Sequence, residues 1–149
     1  MTSESFQREF LATHNSYRAK HDAPPLTLNS ELNNAAQKWA EKCLAQNSLS
    51  HSDTKDGENV FYMSSSRAVN PTGKEAVDSW YSEIEKYNFQ NPGFTSGTGH
   101  FTQVVWKSTT EVGVGMATNG KTVIVVGQYR PAGNISNPGF FEKNVLPIA

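Results

Sequence analysis

Cysteine is nearly absent. Cys43 stands alone in 149 residues. One thiol cannot close an internal disulfide, which excludes a disulfide-stapled scaffold, and no cysteine cluster exists for a structural zinc or an iron–sulfur centre. An excess of one charge is also missing. The 13 Lys and Arg are balanced by 14 Asp and Glu, a net charge of -1. That balance excludes a protein built to bind nucleic acid by neutralising phosphates. There is no long apolar run. The longest purely aliphatic stretch, Val123-Ile124-Val125-Val126, falls far short of the roughly 20 residues that a membrane span needs. The first nine residues contain no apolar core for a signal peptide, so none is expected in this sequence. Position 2 is Thr where N-myristoylation needs Gly. What the chain does have is 36% hydrophobic and 11% aromatic residues, enough to exclude a disordered chain. Its length suits one domain over residues 1–149, since domains run to roughly 100–200 residues.

Apolar periodicity predicts three helices in the first half. Residues 3–21 place Phe6, Phe10, His14 and Tyr17 on one face, with Ser3 or Ser5 as cap. Pro24-Pro25 ends that element in an extended link. Residues 30–46, capped by Asn29 or Ser30, align Leu32, Ala36, Trp39, Ala40 and Cys43. Residues 73–87, capped by Thr72, align Val77, Trp80, Tyr81 and Ile84. Between the last two helices, Asn59–Met63 reads as a short strand. The stretch from Asn88 to Gly99 reads as a packed loop, followed by a short helix over 100–107. Residues 112–118 and 122–130 read as strands joined at Asn119-Gly120, a strong hairpin signal. Gly113 and Gly115 alternate within the first of these strands, which points to a helix packed closely on that face. The tail from Pro131 reads as irregular. Helices followed by a hairpin predict an α+β fold.

Four residues can carry chemistry: His51, Glu58, Glu83 and His100. Two imidazoles and two carboxylates can hold a divalent metal or move protons. His51 and Glu58 flank a loop that enters a strand. His100 follows Gly97-Thr98-Gly99, where small side chains let a ligand approach. Spacing alone is unspecific, because no HExxH pair is present.

The motifs taken together are specific. His51-Ser52, Gly57-Glu58-Asn59-Val60, Gly99-His100-Phe101-Thr102-Gln103-Val104-Val105-Trp106 and Gln128-Tyr129-Arg130-Pro131-Ala132-Gly133-Asn134-Ile135 run in one order along the chain, after His14-Asn15-Ser16-Tyr17-Arg18. This set resembles the CAP superfamily of cysteine-rich secretory, antigen 5 and plant pathogenesis-related proteins. Tyr81-Ser82-Glu83-Ile84, Asn91-Pro92-Gly93-Phe94 and Gly139-Phe140-Phe141-Glu142 are similar to its intracellular, Golgi-associated branch.

The resemblance implies a three-layer α–β–α sandwich with a mainly antiparallel central sheet. It implies a cleft in which His51 and His100 hold zinc or another divalent cation, lined by Glu58 and Glu83. It also implies binding of membrane lipids or sterols and of protein partners, peripheral attachment to the cytosolic face of the Golgi or other membranes, homodimers, and a link to restraint of autophagy. Secretory members carry a cysteine just before the Gln-Tyr pair. Gly127 stands there in this chain, which suits a reducing compartment. The branch usually begins Met-Gly, and Thr2 departs from that.

The reading that follows is a non-enzymatic binding module inside the cell. Two alternatives stay open. One is a hydrolase working through the same metal cleft or through Ser64 with His51 and Glu83, although no Gly-x-Ser-x-Gly surrounds that serine. The other is an extracellular, defence-type protein, against which the single cysteine speaks. Asn134-Ile135-Ser136 matches the glycosylation sequon and is expected to be silent.

Overall fold

The computed structural model describes residues 4–48, 50–66 and 72–148. Helix α1 (Glu4–Lys20) buries Phe6, Phe10, His14 and Arg18, one residue per turn. Its expected cap Ser3 lies outside the described residues. Strand β1 (Thr27–Leu28) leads into α2 (Ser30–Gln46). Asn29 caps α2 by accepting from the Leu32 N–H at 3.0 Å, and Asn47 closes it in the left-handed region at φ 48°. Strand β2 (Gly57–Ser64) is followed by α3 (Gly73–Tyr81), capped by Thr72. The third helix does not continue regularly to residue 87 as expected. The Ser82 hydroxyl donates to the Ser79 carbonyl at 2.6 Å, and the chain tightens into a 3-10 turn over Ser82–Lys86. Helix α4 (Gly99–Val104) precedes the hairpin of β3 (Glu111–Thr118) and β4 (Thr122–Arg130). Asn119 accepts from the N–H groups of Lys121 and Thr122, and Gly120 takes φ +97°, which closes the hairpin. The tail is not wholly irregular: α5 (Phe140–Asn144) forms there because Phe141 is buried edge-on against Trp106.

The strands assemble in the order β1-β3-β4-β2. The β2–β4 and β3–β4 pairs are antiparallel, while β1 joins β3 in parallel through two residues. The sheet is therefore mixed, with a short parallel edge. Helix α2 covers one face, while α1 and α3 cover the other with α4. Strand alternation sorts the two cores. Val112, Val114, Val123, Val125 and Tyr129 meet Phe6, Phe10 and Trp80 on one side. Ala117, Ile124 and Val126 meet Ala36, Ala40 and Cys43 on the other. A Cβ at Gly113 would overlap the backbone of Leu32 and Asn33, and one at Gly115 would overlap Ala36 and Gln37. The two glycines thus let α2 lie directly on β3, as their alternation predicts. Gly127 is confined less tightly, and by side chains instead of backbone. A Cβ there would come within 3.1 Å of the Phe10 ring and 3.2 Å of the Tyr129 hydroxyl.

Two buried polar groups tie α1 to the rest of the molecule. The Arg18 guanidinium is fully buried and donates to the carbonyls of Pro24 (2.8 Å), Val104 (3.1 Å), Trp106 (2.8 Å) and Thr109 (2.9 Å). Burial draws its pKa down to about 10, so it stays charged at neutral pH. It clamps the segment that leaves α4. His14 donates from Nδ1 to the Phe10 carbonyl (2.9 Å) and accepts at Nε2 from the Tyr129 hydroxyl (2.7 Å). That hydroxyl accepts from Asn59 (3.3 Å), whose amide also donates to the His100 carbonyl (3.1 Å). A relay of hydrogen bonds thus runs from the core to the residue expected to hold metal.

Candidate functional site

The loop before β2 is anchored on both sides. The Trp39 indole donates to the Ser50 carbonyl (2.8 Å), and Arg130 grips Asp56 with two bonds of 2.9 Å. This holds His51 and Ser52 over the start of β2. There Glu58 sits opposite Gln128 of β4. The Glu58 carboxylate accepts from the Ser52 N–H (2.7 Å), His51 Nδ1 (3.0 Å), Gln128 Nε2 (3.0 Å) and the Ser52 hydroxyl. Its side chain is only 3% exposed. Burial works to raise this carboxyl, but the hydrogen bonds from His51, Ser52 and Gln128 outweigh it and hold the pKa below the ordinary range. In return the Glu58 bond raises His51 above its ordinary value, against the opposing effect of burial.

The second pair repeats the plan on other elements. Glu83 lies in the 3-10 turn rather than on a regular helix. It accepts from the N–H groups of His100 (2.9 Å) and Phe101 (3.1 Å), and so caps α4. It also accepts from His100 Nδ1 at 2.8 Å. Burial works to raise Glu83 too, and the His100 and backbone bonds lower it. The Trp80 ring lies parallel to the His100 ring, 9° between planes and 6.3 Å between centres.

Both pairs open on one cleft of about 310 Å³, lined by His51, Glu58, Asn59, Glu83, His100 and Asn134, with Gly97, Gly99 and Phe94 at its edge. Phe94, 62% exposed, gives this polar cleft one large apolar side chain.

The ring chemistry follows from these contacts. A carboxylate only accepts, so each Nδ1 carries the proton and each neutral ring keeps its lone pair on Nε2. No described residue bonds Nε2 of His51 or His100. The carboxylates are occupied by protein donors, which leaves the two imidazole nitrogens as the groups able to bind a metal or take a proton. A carboxylate behind a histidine is the usual support for a metal-binding ring. Among the described residues no cluster of three or more His, Cys, Asp or Glu is placed to hold a metal ion. The cleft therefore fits a two-nitrogen site completed by water or ligand, and not a closed structural site.

The structure brings His51, Glu58, Glu83 and His100 to one place and leaves Ser64 out. Ser64 is exposed at the far end of β2, facing Thr122 at 3.5 Å, about 20 Å of extended strand from Glu58. The serine-dependent arrangement of Ser64 with His51 and Glu83 is not assembled. Ser52 and Gln128, which hold Glu58, and Asn59 and Asn134, which line the cleft, escaped sequence reasoning as site residues. Asn134 had a misleading signal. Its sequon amide donates to the Gly99 carbonyl (2.9 Å) and accepts from Thr102 (2.5 Å), at φ 57°. The side chain is part of the cleft wall. No helix of the described residues is long and apolar enough to cross a membrane.

Comparison with known proteins agrees with this architecture. Residues 11–129 match the cysteine-rich secretory protein (CAP) family. The Golgi-associated plant pathogenesis-related protein 1 of Homo sapiens is 50% identical over 97% of this chain and 95% of its own length. Among solved structures, BmVAL-1 superposes with a TM-score of 0.80 at 28% identity, over 99% of this chain and 84% of that one. NaASP2, solved with Zn2+, superposes with a TM-score of 0.79 at 27% identity, over 99% of this chain and 87% of that one.

Proposed function

The chain belongs to the cysteine-rich secretory protein (CAP) family, and on that premise we propose that it is a non-enzymatic binding module, working inside the cell at a membrane surface. The observation that carries this reading is the build of the cleft. Two histidines, each with Nδ1 held by a carboxylate, line a space that the exposed Phe94 ring also borders. Such a site suits an amphipathic ligand, with its polar end at the imidazoles and its apolar part against that ring. Zinc or another divalent cation fits the donor set, with His51 and His100 as its protein ligands. When bound it supplies a Lewis-acidic centre for an anionic headgroup. Glu58 and Glu83 fix the ring tautomers, and Asn59 holds the His100 backbone. The relative solved with Zn2+ supports the metal part. The relative named for the Golgi supports an intracellular location.

Titration calorimetry with zinc tests the metal. Heat of binding is expected for the native chain and not for His51→Ala/His100→Ala. Equal, undetectable heats in both overturn it. Liposome flotation with anionic and neutral vesicles tests the membrane part. Co-flotation with either is expected, and none with any composition counts against it.

A further inference from the structure

The outer edge of β3 is satisfied by a helix instead of a strand. Strand β1 pairs with β3 only at Glu111 and Val112. Beyond that point the backbone groups of β3 that face away from β4 have no strand partner among the described residues. The cap of α2 and then two of its side chains take over. Asn29 donates its backbone N–H to the Val112 carbonyl at 3.0 Å. Asn33 accepts from the Val114 N–H at 2.8 Å. Gln37 accepts from the Met116 N–H at 3.0 Å and donates to the Met116 carbonyl at 2.9 Å. A primary amide offers an N–H donor beside a carbonyl acceptor, as a peptide group does, so Gln37 acts as a rung of strand, its second N–H donating to Glu41 at 2.9 Å.

The spacing explains why a helix can do this. Residues four apart on a helix rise about 6 Å. Residues two apart on a strand rise about 6.6 Å. Asn29, Asn33 and Gln37 therefore keep step with Val112, Val114 and Met116. The small slip at each rung is absorbed by the longer side chain of Gln37. Gly113 and Gly115, which face α2 between the rungs, let the helix come close enough for short amides to reach.

The edge under this row is one that unpaired strands exploit. No charged residue lies between Glu111 and Lys121 in β3 and its turn, or between Lys121 and Arg130 in β4. Neither stretch contains Pro. Uncharged, β-prone segments without proline pair readily with copies of themselves. We infer that the Asn33 and Gln37 amides guard a latent self-association surface, and that withdrawing them opens β3 to strand addition by a second copy of this chain. This proposal is independent of the cleft.

The test uses the full chain and the Asn33→Ala/Gln37→Ala variant, with Gln37→Glu as a milder second variant. Gln37→Glu keeps an acceptor for Met116 but removes the donor. Amide hydrogen exchange and light scattering are followed against concentration, with far-UV circular dichroism to confirm the fold. In dilute solution the double variant exchanges at Val114 and Met116 at least tenfold faster than the wild type. As concentration rises it associates beyond the wild type, and both amides become protected again. Gln37→Glu shows the smaller effect, at Met116. A folded variant with fast exchange and the wild-type association state overturns the proposal. So does association that leaves both amides exchanging fast. Should the double variant unfold, Gln37→Glu and the wild type decide: Val114 and Met116 exchanging at the unprotected rate in the wild type overturn the guard outright.

Discussion

The four histidines of this chain divide between two regions that use the same ring in opposite ways. His14 and His21 are 0% and 1% exposed. Each donates from Nδ1 to a backbone carbonyl, Phe10 or Leu146, and accepts at Nε2 from a tyrosine hydroxyl, Tyr129 or Tyr81. Both nitrogens are consumed and the ring is fixed neutral. The side chains of His51 and His100 are 65% and 36% exposed. Each turns Nδ1 to a carboxylate and leaves Nε2 to the cleft. The difference lies in the second nitrogen. Where a tyrosine closes it, histidine is a core residue. Where a carboxylate fixes the first nitrogen and no described residue closes the second, the ring keeps a lone pair open to the cleft.

Mutation should separate the regions most sharply. His14→Ala leaves a cavity, strands the Tyr129 hydroxyl and is expected to cost about 3–5 kcal/mol of stability. His51→Ala, at the surface, is expected to cost within about 1 kcal/mol. Urea unfolding checks both. Equal losses would break the comparison.

The pH dependence comes next. His14 is lowered to about 3 by burial, and His21 is lowered for the same first reason. Their neutral folded forms resist protons that the unfolded chain takes up below its ordinary histidine pKa. Stability therefore falls as pH drops below about 6.5, and His14 accounts for about 3 kcal/mol by pH 4.5. His51 has the opposite sign. Its raised value contributes stability that is full below the unfolded pKa and is lost as pH rises through the folded one. Glu58 and Glu83, both lowered, contribute stability that is lost as pH falls through their folded values. Denaturation across pH 4–8 should show the acid loss. In His14→Phe/Tyr129→Phe, which replaces the buried contacts with apolar ones, that loss should be smaller.

Glu83→Gln acts at the cleft and at the start of α4. It should weaken zinc binding about 10–100-fold by removing the acceptor that supports His100 Nδ1, and change stability by no more than about 1 kcal/mol, because the remaining amide oxygen still accepts from the His100 and Phe101 N–H groups that start α4. Calorimetry and thermal unfolding read the two effects separately. The smallest effect is expected at Ser64→Ala, where stability and zinc affinity should stay within about 0.5 kcal/mol of the wild type, as for a surface substitution away from any site.

Much of this was legible in the sequence where one local signal dominates. The caps Asn29 and Thr72, the Asn119-Gly120 turn and the close approach at Gly113 and Gly115 depend on chemistry within a few residues. The resemblance named the four cleft residues. Other features depend on contacts between distant segments. Arg18 reads as a polar helix residue, yet it is buried with five hydrogen bonds to backbone carbonyls. Gln128 and Ser52 become supports of Glu58 only when β4 pairs with β2 and the loop folds back. Ser64 looked close to Glu58 in sequence, but an extended strand carries it away. The tail reads as irregular until Trp106 offers Phe141 a surface.

Nitrogen-15 spectra of the histidine rings during a zinc titration test the central claim most directly. The account predicts that the Nε2 signals of His51 and His100 move together while His14 and His21 stay fixed. Movement at the buried pair, or no movement at the cleft pair, would contradict it.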